Sequence, residues 1–331
     1  MSSPRFVMWL FCLLTATGRA PVAGQSVWQE AIEMEWVLLS VISVVGFTGM
    51  TVVQKRALDR YVNGAVTFNA VASMMQFAVA VVLIAIAPID DWFSRGVLLM
   101  VAAGTLQALQ WLLQLYALNR STDVSRIVPI MDSFPLVVLI ISVALLGEVL
   151  TPIKWFAVLL VVGGAILASL SQAIPGERVR FDRSFAAIMG AMLGMALLTV
   201  LFKLASEDLA ITQMLGLAWL FAAPVHLIVA RIAHAGADVG AALRSRAAVG
   251  SIGFTQLLMI VAFMAGLGAI MLGPLSLTTA IMGTRPVMLL LWFMASGFSV
   301  RKALRGQPGQ SHRKQWASAS LVTAGVGAMA F

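Results

Sequence analysis

Residues Tyr116 to Ala168 read YALNRSTDVSRIVPIMDSFPLVVLIISVALLGEVLTPIKWFAVLLVVGGAILA, and the fold turns on this stretch. A short polar turn around Asn119-Arg120-Ser121-Thr122-Asp123 leads into an apolar run that carries Pro135 and ends at Leu146-Gly147-Glu148. After Thr151-Pro152 a second apolar run follows, with Gly163-Gly164 inside it. Each run has roughly the 17–25 residues that a membrane-spanning helix needs. A proline inside a span frees a backbone carbonyl, which in lipid only neighbouring helices, side chains or water can satisfy.

Composition agrees. Of 331 residues 60% are hydrophobic and 11% charged, with a mean hydropathy of +0.95. A soluble domain carries about 25% charged residues, so lipid is the expected solvent. The net charge of +8 and pI near 10.5 come from basic residues in short loops between apolar runs. That placement points to orientation in a membrane rather than to nucleic acid. Cys12 is the single cysteine, which excludes an intrachain disulfide and a cysteine-based metal cluster.

Apolar runs near 36–53, 65–87, 96–117, 124–146, 154–171, 184–204, 212–231, 247–270, 273–297 and 315–331 predict an all-α polytopic membrane protein with about ten transmembrane helices. The polar loop 172–183 divides them into two sets of five, over 34–171 and 184–331. Four patterns recur between the sets in the same order. Thr51-Val52-x-x-Lys55-x-Ala57 returns from Thr199, Gly104-x-x-Gln107 from Gly253, Ile130-Met131-x-x-x-Pro135 from Ile281, and Leu160-Val161-x-x-Gly164 from Leu321. An odd number of spans per set makes the second copy cross in the opposite sense. The expected architecture is therefore two inverted five-helix repeats with a site near the midplane.

The succession of polar turn, proline-bearing helix, Gly147-Glu148 and glycine-containing helix resembles the EamA-like transporters of the drug/metabolite transporter superfamily. The resemblance is close over this stretch and looser across the rest of 34–331. It implies a multi-pass carrier of the bacterial inner (plasma) membrane, monomer or homodimer, with a small-molecule substrate, no cofactor and no nucleic-acid partner. No short motif fixes the solute. A lipid-linked sugar or nucleotide-sugar carrier and a non-transporting membrane scaffold are the alternatives. An intramembrane enzyme has little support, because His226, His234 and His312 make no H-E-x-x-H spacing and no phosphate-binding G-x-x-x-x-G-K-[ST] loop occurs.

Residues 1–33 lie outside both repeats. Arg5, the apolar run Phe6–Leu14 and Val22-Ala23-Gly24 read as a signal peptide, whereas Met34-Glu35-Trp36 reads as a natural start. A chain beginning at Met34 is expected to insert and transport normally, since every repeated element lies downstream.

Polar residues at helical spacing are the candidate substrate ligands. Asn69, Ser73 and Gln76 follow i, i+4, i+7; Gln107, Gln110 and Gln114 follow i, i+3, i+7; Thr255 and Gln256 mark the eighth span. Glutamine facing lipid is costly, so these stripes are expected to face the interior, as a wet cavity or as interhelical hydrogen bonds. Gly190-x-x-x-Gly194 is expected to pack within the chain, and Lys55 and Lys203 to reach the membrane interface. Asp132 and Arg285 stand in mid-span beside the repeat-related Pro135 and Pro286. They are expected to meet, with Arg285 facing the cavity. Such a pair suits exchange or facilitated movement of an anionic or zwitterionic solute better than proton carriage by Asp132.

Loop charge predicts orientation. Sixteen Lys and Arg, from Lys55 to Lys314, follow odd-numbered spans, against Arg95, Lys154 and Lys203 after even-numbered ones. Odd-numbered loops are therefore expected inside and both termini outside. Members of the resembled family are usually drawn with both termini inside.

Overall fold

A computed structural model describes residues 25–120, 133–170, 183–285 and 287–288, together with 317, 320, 321, 324 and 325. These residues are mostly helical, and no strand occurs among them. The helices are α1 (Gln25–Arg60), α2 (Ala65–Ile86), α3 (Arg95–Arg120), α4 (Phe134–Leu145), α5 (Pro152–Leu170), α6 (Arg183–Ala205), α7 (Ile211–Ile232), α8 (Gly236–Arg244), α9 (Arg246–Leu272) and α10 (Leu275–Met282). Six are long and apolar enough to cross a membrane, by length and composition: α1 from Glu35, α2, α3 to Gln114, α6 from Phe185, α7 and α9. Apolar stretches of α4 and α5, Phe134–Leu145 and Pro152–Gly164, are shorter. The protein is thus an all-α, multi-pass membrane protein.

Several boundaries differ from the sequence reading. Helix α1 begins at Gln25, upstream of Met34. Pro135 stands in the first turn of α4, where a missing N–H leaves no helical bond unmade. The proline that does interrupt a described helix is Pro224 in α7, which removes the N–H that would bond the Leu220 carbonyl. Helix α10 stops at Gly283, so the ninth apolar run is broken by a turn before Arg285. The short helix α8 follows a Schellman-type stop. His234 sits at φ 52, its N–H donates to the Arg231 carbonyl, and the Ala235 N–H donates to Ala230. Asp132, the loop 172–182 and most of the tenth run lie outside the described residues, as do residues 1–24.

The chain forms two compact units that cut across the sequence halves. The first combines the chain up to Leu39 with Met50–Ala108 and Leu201–Leu272; the second combines Ser40–Gly49, Leu109–Val200 and Gly273–Phe331. Within the first unit, α2 and α7 pack antiparallel. Ser73 meets His226 at one level, and a Cβ on Gly216 would lie 3.0 Å from Ile84 at another. Helix α3 approaches α7 so closely that a Cβ on Gly104 would stand 2.6 Å from the Ala218 carbonyl oxygen. Trp219 fills the interior, edge-on to Phe263 at 6.2 Å.

Within the second unit, α4 and α10 are also antiparallel. A Cβ on Gly283 would lie 2.8 Å from Pro135, and at the other end Glu148 reaches the start of α10. Its carboxylate accepts from the backbone N–H of Leu275 and Ser276 and from Ser276 Oγ at 2.6 Å. An acceptor anion at a helix N-terminus satisfies otherwise unpaired N–H groups and the helix dipole. Gly147, at φ 66, makes the turn that delivers it. A Cβ on Gly190 would meet Leu113 at 3.2 Å, so this glycine packs within the unit.

Candidate functional site

Helix α2 carries no charged residue, yet one of its faces presents Asn69, Ser73 and Gln76 to the interior of the first unit. The spacing puts them one above another on a 3.6-residue helix. Gln76 is buried, and its Nε2 donates to Gln256 Oε1 on α9 at 3.0 Å and to Met259 Sδ at 3.4 Å. One turn away, Ser73 Oγ shares a 2.9 Å hydrogen bond with His226 Nδ1 on α7. Thr255 is satisfied locally by the Ser251 carbonyl.

The cluster is incompletely paired. Asn69 Nδ2 and His226 Nε2 are buried without a hydrogen-bond partner among the described residues, as are Gln107 Oε1 on α3 and Trp219 Nε1 on α7. His226 is only 8% exposed and Gln107 only 3%. An unsatisfied buried donor or acceptor costs about 1–3 kcal/mol, so each such atom calls for an account. Here they lie on α2, α3 and α7 of one unit; Asn69 is one turn from Ser73 on α2, and the ring of His226 is already bonded to Ser73. Chemically the cluster offers neutral donors and acceptors plus one imidazole, a set suited to hydrogen-bonding a polar solute or water.

The predicted site residues therefore divide. Asn69, Gln76, Gln107 and Gln256 fall in the first unit, with Gln76 and Gln256 in direct contact. Gln110 and Gln114 fall in the second unit and bond each other along α3 at 3.0 Å. The glutamine stripe is thus split between the units. Asp132 lies outside the described residues, and Arg285 is half-buried one turn past α10. Lys203 Nζ donates to the Ile270 carbonyl at 2.6 Å, so its charge meets the last turn of α9 inside the first unit. The Lys55 side chain lies outside what is described.

Two features escaped the sequence reading. The role of His226 was missed because it makes no metal-ligand spacing; its partner is 153 residues away. Glu148 reads in the sequence only as the end of an apolar run, although its position after Gly147 and the Gly273-Pro274-Leu275-Ser276 helix start are both visible there. Among the described residues no group of His, Cys, Asp and Glu has the arrangement of a metal site.

The described helices thus enclose polar side chains, some of them unpaired among the described residues, between membrane-length apolar segments. Residues 34–170 match the model of the EamA-like transporter family, in agreement with the drug/metabolite transporter superfamily. A solved structure titled "Crystal structure of protein" shares the fold with a TM-score of 0.65 at 13% identity, covering 88% of this chain and 95% of that one. No curated protein matches the chain. Over residues 34–170 the chain is therefore similar to a family of membrane transporters.

Proposed function

We propose that the protein is a secondary carrier of the bacterial inner membrane, moving a small polar or amphipathic metabolite by alternating access without covalent chemistry. The observation that carries this reading is the set of buried polar atoms without a hydrogen-bond partner among the described residues, Asn69 Nδ2, Gln107 Oε1 and His226 Nε2, in the interior of apolar helices. A bundle held by packing alone has no use for them, whereas a solute with matching donors and acceptors completes them. The match of residues 34–170 to a transporter family supports the same reading.

Asp132 and Arg285 enter it as a second element. Pro135, three residues after Asp132, packs on Gly283, two before Arg285, and this supports a meeting of the two charges. An anionic or zwitterionic solute then competes for Arg285, whose planar guanidinium binds a carboxylate through two parallel hydrogen bonds.

The test is a thermal-shift screen of the purified full chain against polar metabolites, followed by flux of each hit in proteoliposomes. A ligand of the folded state raises apparent stability. The expected result is a hit that is also transported and whose shift is lost in folded Asn69→Leu and His226→Leu variants. Hits that bind both variants undiminished, or that are never transported, contradict the reading.

A further inference from the structure

We propose that one end of the first unit is a binding surface for the phosphate headgroups of anionic phospholipids in the leaflet it meets. The proposal needs the chain to lie in a membrane, and it is independent of which solute is carried.

The packing gathers the charge. A buried cluster joins Ala57 in the last turn of α1, Val62 just after it, Phe68 on α2, Ala230 on α7, Ala235, Val239 and Ala242 at α8, and Ala248 and Ile252 on α9. Arginines interleave with these anchors in the sequence: Arg56 and Arg60 flank Ala57, Arg231 follows Ala230, Arg244 follows Ala242 and Arg246 precedes Ala248. Burying the alanines therefore brings five guanidinium groups to one end, and all five residues are exposed. None of the five guanidinium groups makes a hydrogen bond or ion pair among the described residues. Two acids, Asp59 and Asp238, share this end. Asp238 accepts from Asn63 Nδ2 at 3.5 Å.

The other end of α2 and α7 has the opposite character. Asp90, Asp91, Glu207 and Asp208 cluster there, and the nearby Arg95 is paired with Glu207 at 3.2 Å. The basic excess thus belongs to one end of the unit and is no general property of its surface.

Apolar exposure at the basic end favours lipid over another polyanion. Ile232 is 71% exposed beside Arg231, and Leu243 is exposed beside Arg244. Helix α8 buries Val239 and Ala242 and leaves Leu243 and Arg244 outward. An apolar side chain next to an arginine fits the boundary between acyl chains and headgroups, where the stem is buried and the guanidinium meets phosphate. An RNA or an acidic protein would leave Ile232 and Leu243 without a partner.

The experiment uses the purified full chain in a non-ionic detergent, titrated with phosphatidylglycerol or phosphatidylcholine of identical acyl chains. Bound lipid is read by native mass spectrometry and stability by thermal shift. Each basic residue near a charged lipid surface contributes roughly fivefold in binding. The wild type is expected to prefer phosphatidylglycerol by at least about tenfold, with the preference shrinking as salt rises toward about 0.5 M. Arg95→Gln, at the acidic end, should retain the preference, and the triple variant Arg231→Gln, Arg244→Gln, Arg246→Gln should lose it. If the triple variant does not fold, each single replacement should lower the preference by roughly fivefold. Equal binding of the two lipids, a preference indifferent to salt, or one that survives these replacements overturns the proposal. So does stronger stabilisation by a short RNA or acidic peptide at equal anionic charge.

Discussion

At the residue scale, the Gln76–Gln256 hydrogen bond separates glue from function. An interhelical side-chain bond in a membrane protein contributes about 0.6 kcal/mol on average. Removing one partner strands the other, at about 1–3 kcal/mol. Gln76→Leu and Gln256→Leu are therefore each expected to lower the thermal midpoint more than the double replacement does. The double variant should remain folded and lose solute flux. A double variant that transports normally would reduce the pair to packing. The polar residues themselves were legible, because Asn69, Ser73 and Gln76 interrupt an apolar run at i, i+4, i+7. Which of them pair was not, since Gln76 and Gln256 are 180 residues apart. Gln110 and Gln114 are the instructive exception: at i, i+4 they satisfy each other on one helix.

At the element scale, two contacts set how closely helices approach. Gly104 faces the Ala218 carbonyl, and a methyl group there would need the backbone of α3 or α7 to retreat. Gly104→Ala is expected to destabilise by about 1–3 kcal/mol, as overpacking does. Gly163 on α5 has nothing within 4 Å of its Cβ position, so Gly163→Ala should be neutral or stabilising by up to about 1 kcal/mol. Thermal unfolding of both variants in detergent checks the contrast, and equal effects would contradict it.

The second contact is the Glu148 cap on α10. Glu148→Ala removes three acceptor contacts and the dipole partner, for an expected loss of about 1–2 kcal/mol. Glu148→Gln keeps an acceptor oxygen and should lose less. A thermal midpoint unchanged in Glu148→Ala would show that the cap contributes nothing. Helix positions were largely legible from run length, but α8 was not: nine residues between two spans give too short a periodic signal.

At the scale of the whole molecule, the charge count carries an orientation. The basic end of the first unit, with Arg56, Arg60, Arg231, Arg244 and Arg246, coincides with loops after odd-numbered spans, and the acidic end with loops after even-numbered ones. Odd-numbered loops are expected on the cytoplasmic side and the C-terminus outside. A C-terminal reporter that works only in the cytoplasm should be silent, and strong activity would refute this orientation. The usual drawing of EamA-like proteins, with both termini inside, makes the test sharp.

Among the described residues six of the ten expected spans appear as helices of membrane length. Lipid as solvent, helices as the secondary structure and the transporter resemblance were legible in the sequence alone. These follow from local quantities: hydropathy over about 20 residues, charge between runs, and the spacing of polar side chains on one helix. Tertiary structure alone decided that each compact unit takes segments from both sequence halves, that His226 meets Ser73, that the glutamine stripe divides at α3, and that Glu148 caps α10. The cross-helix contacts join residues more than 100 positions apart. Amphipathic periodicity says that a residue faces inward; the close approach of helices at small residues such as Gly104 and Gly216 selects its partner.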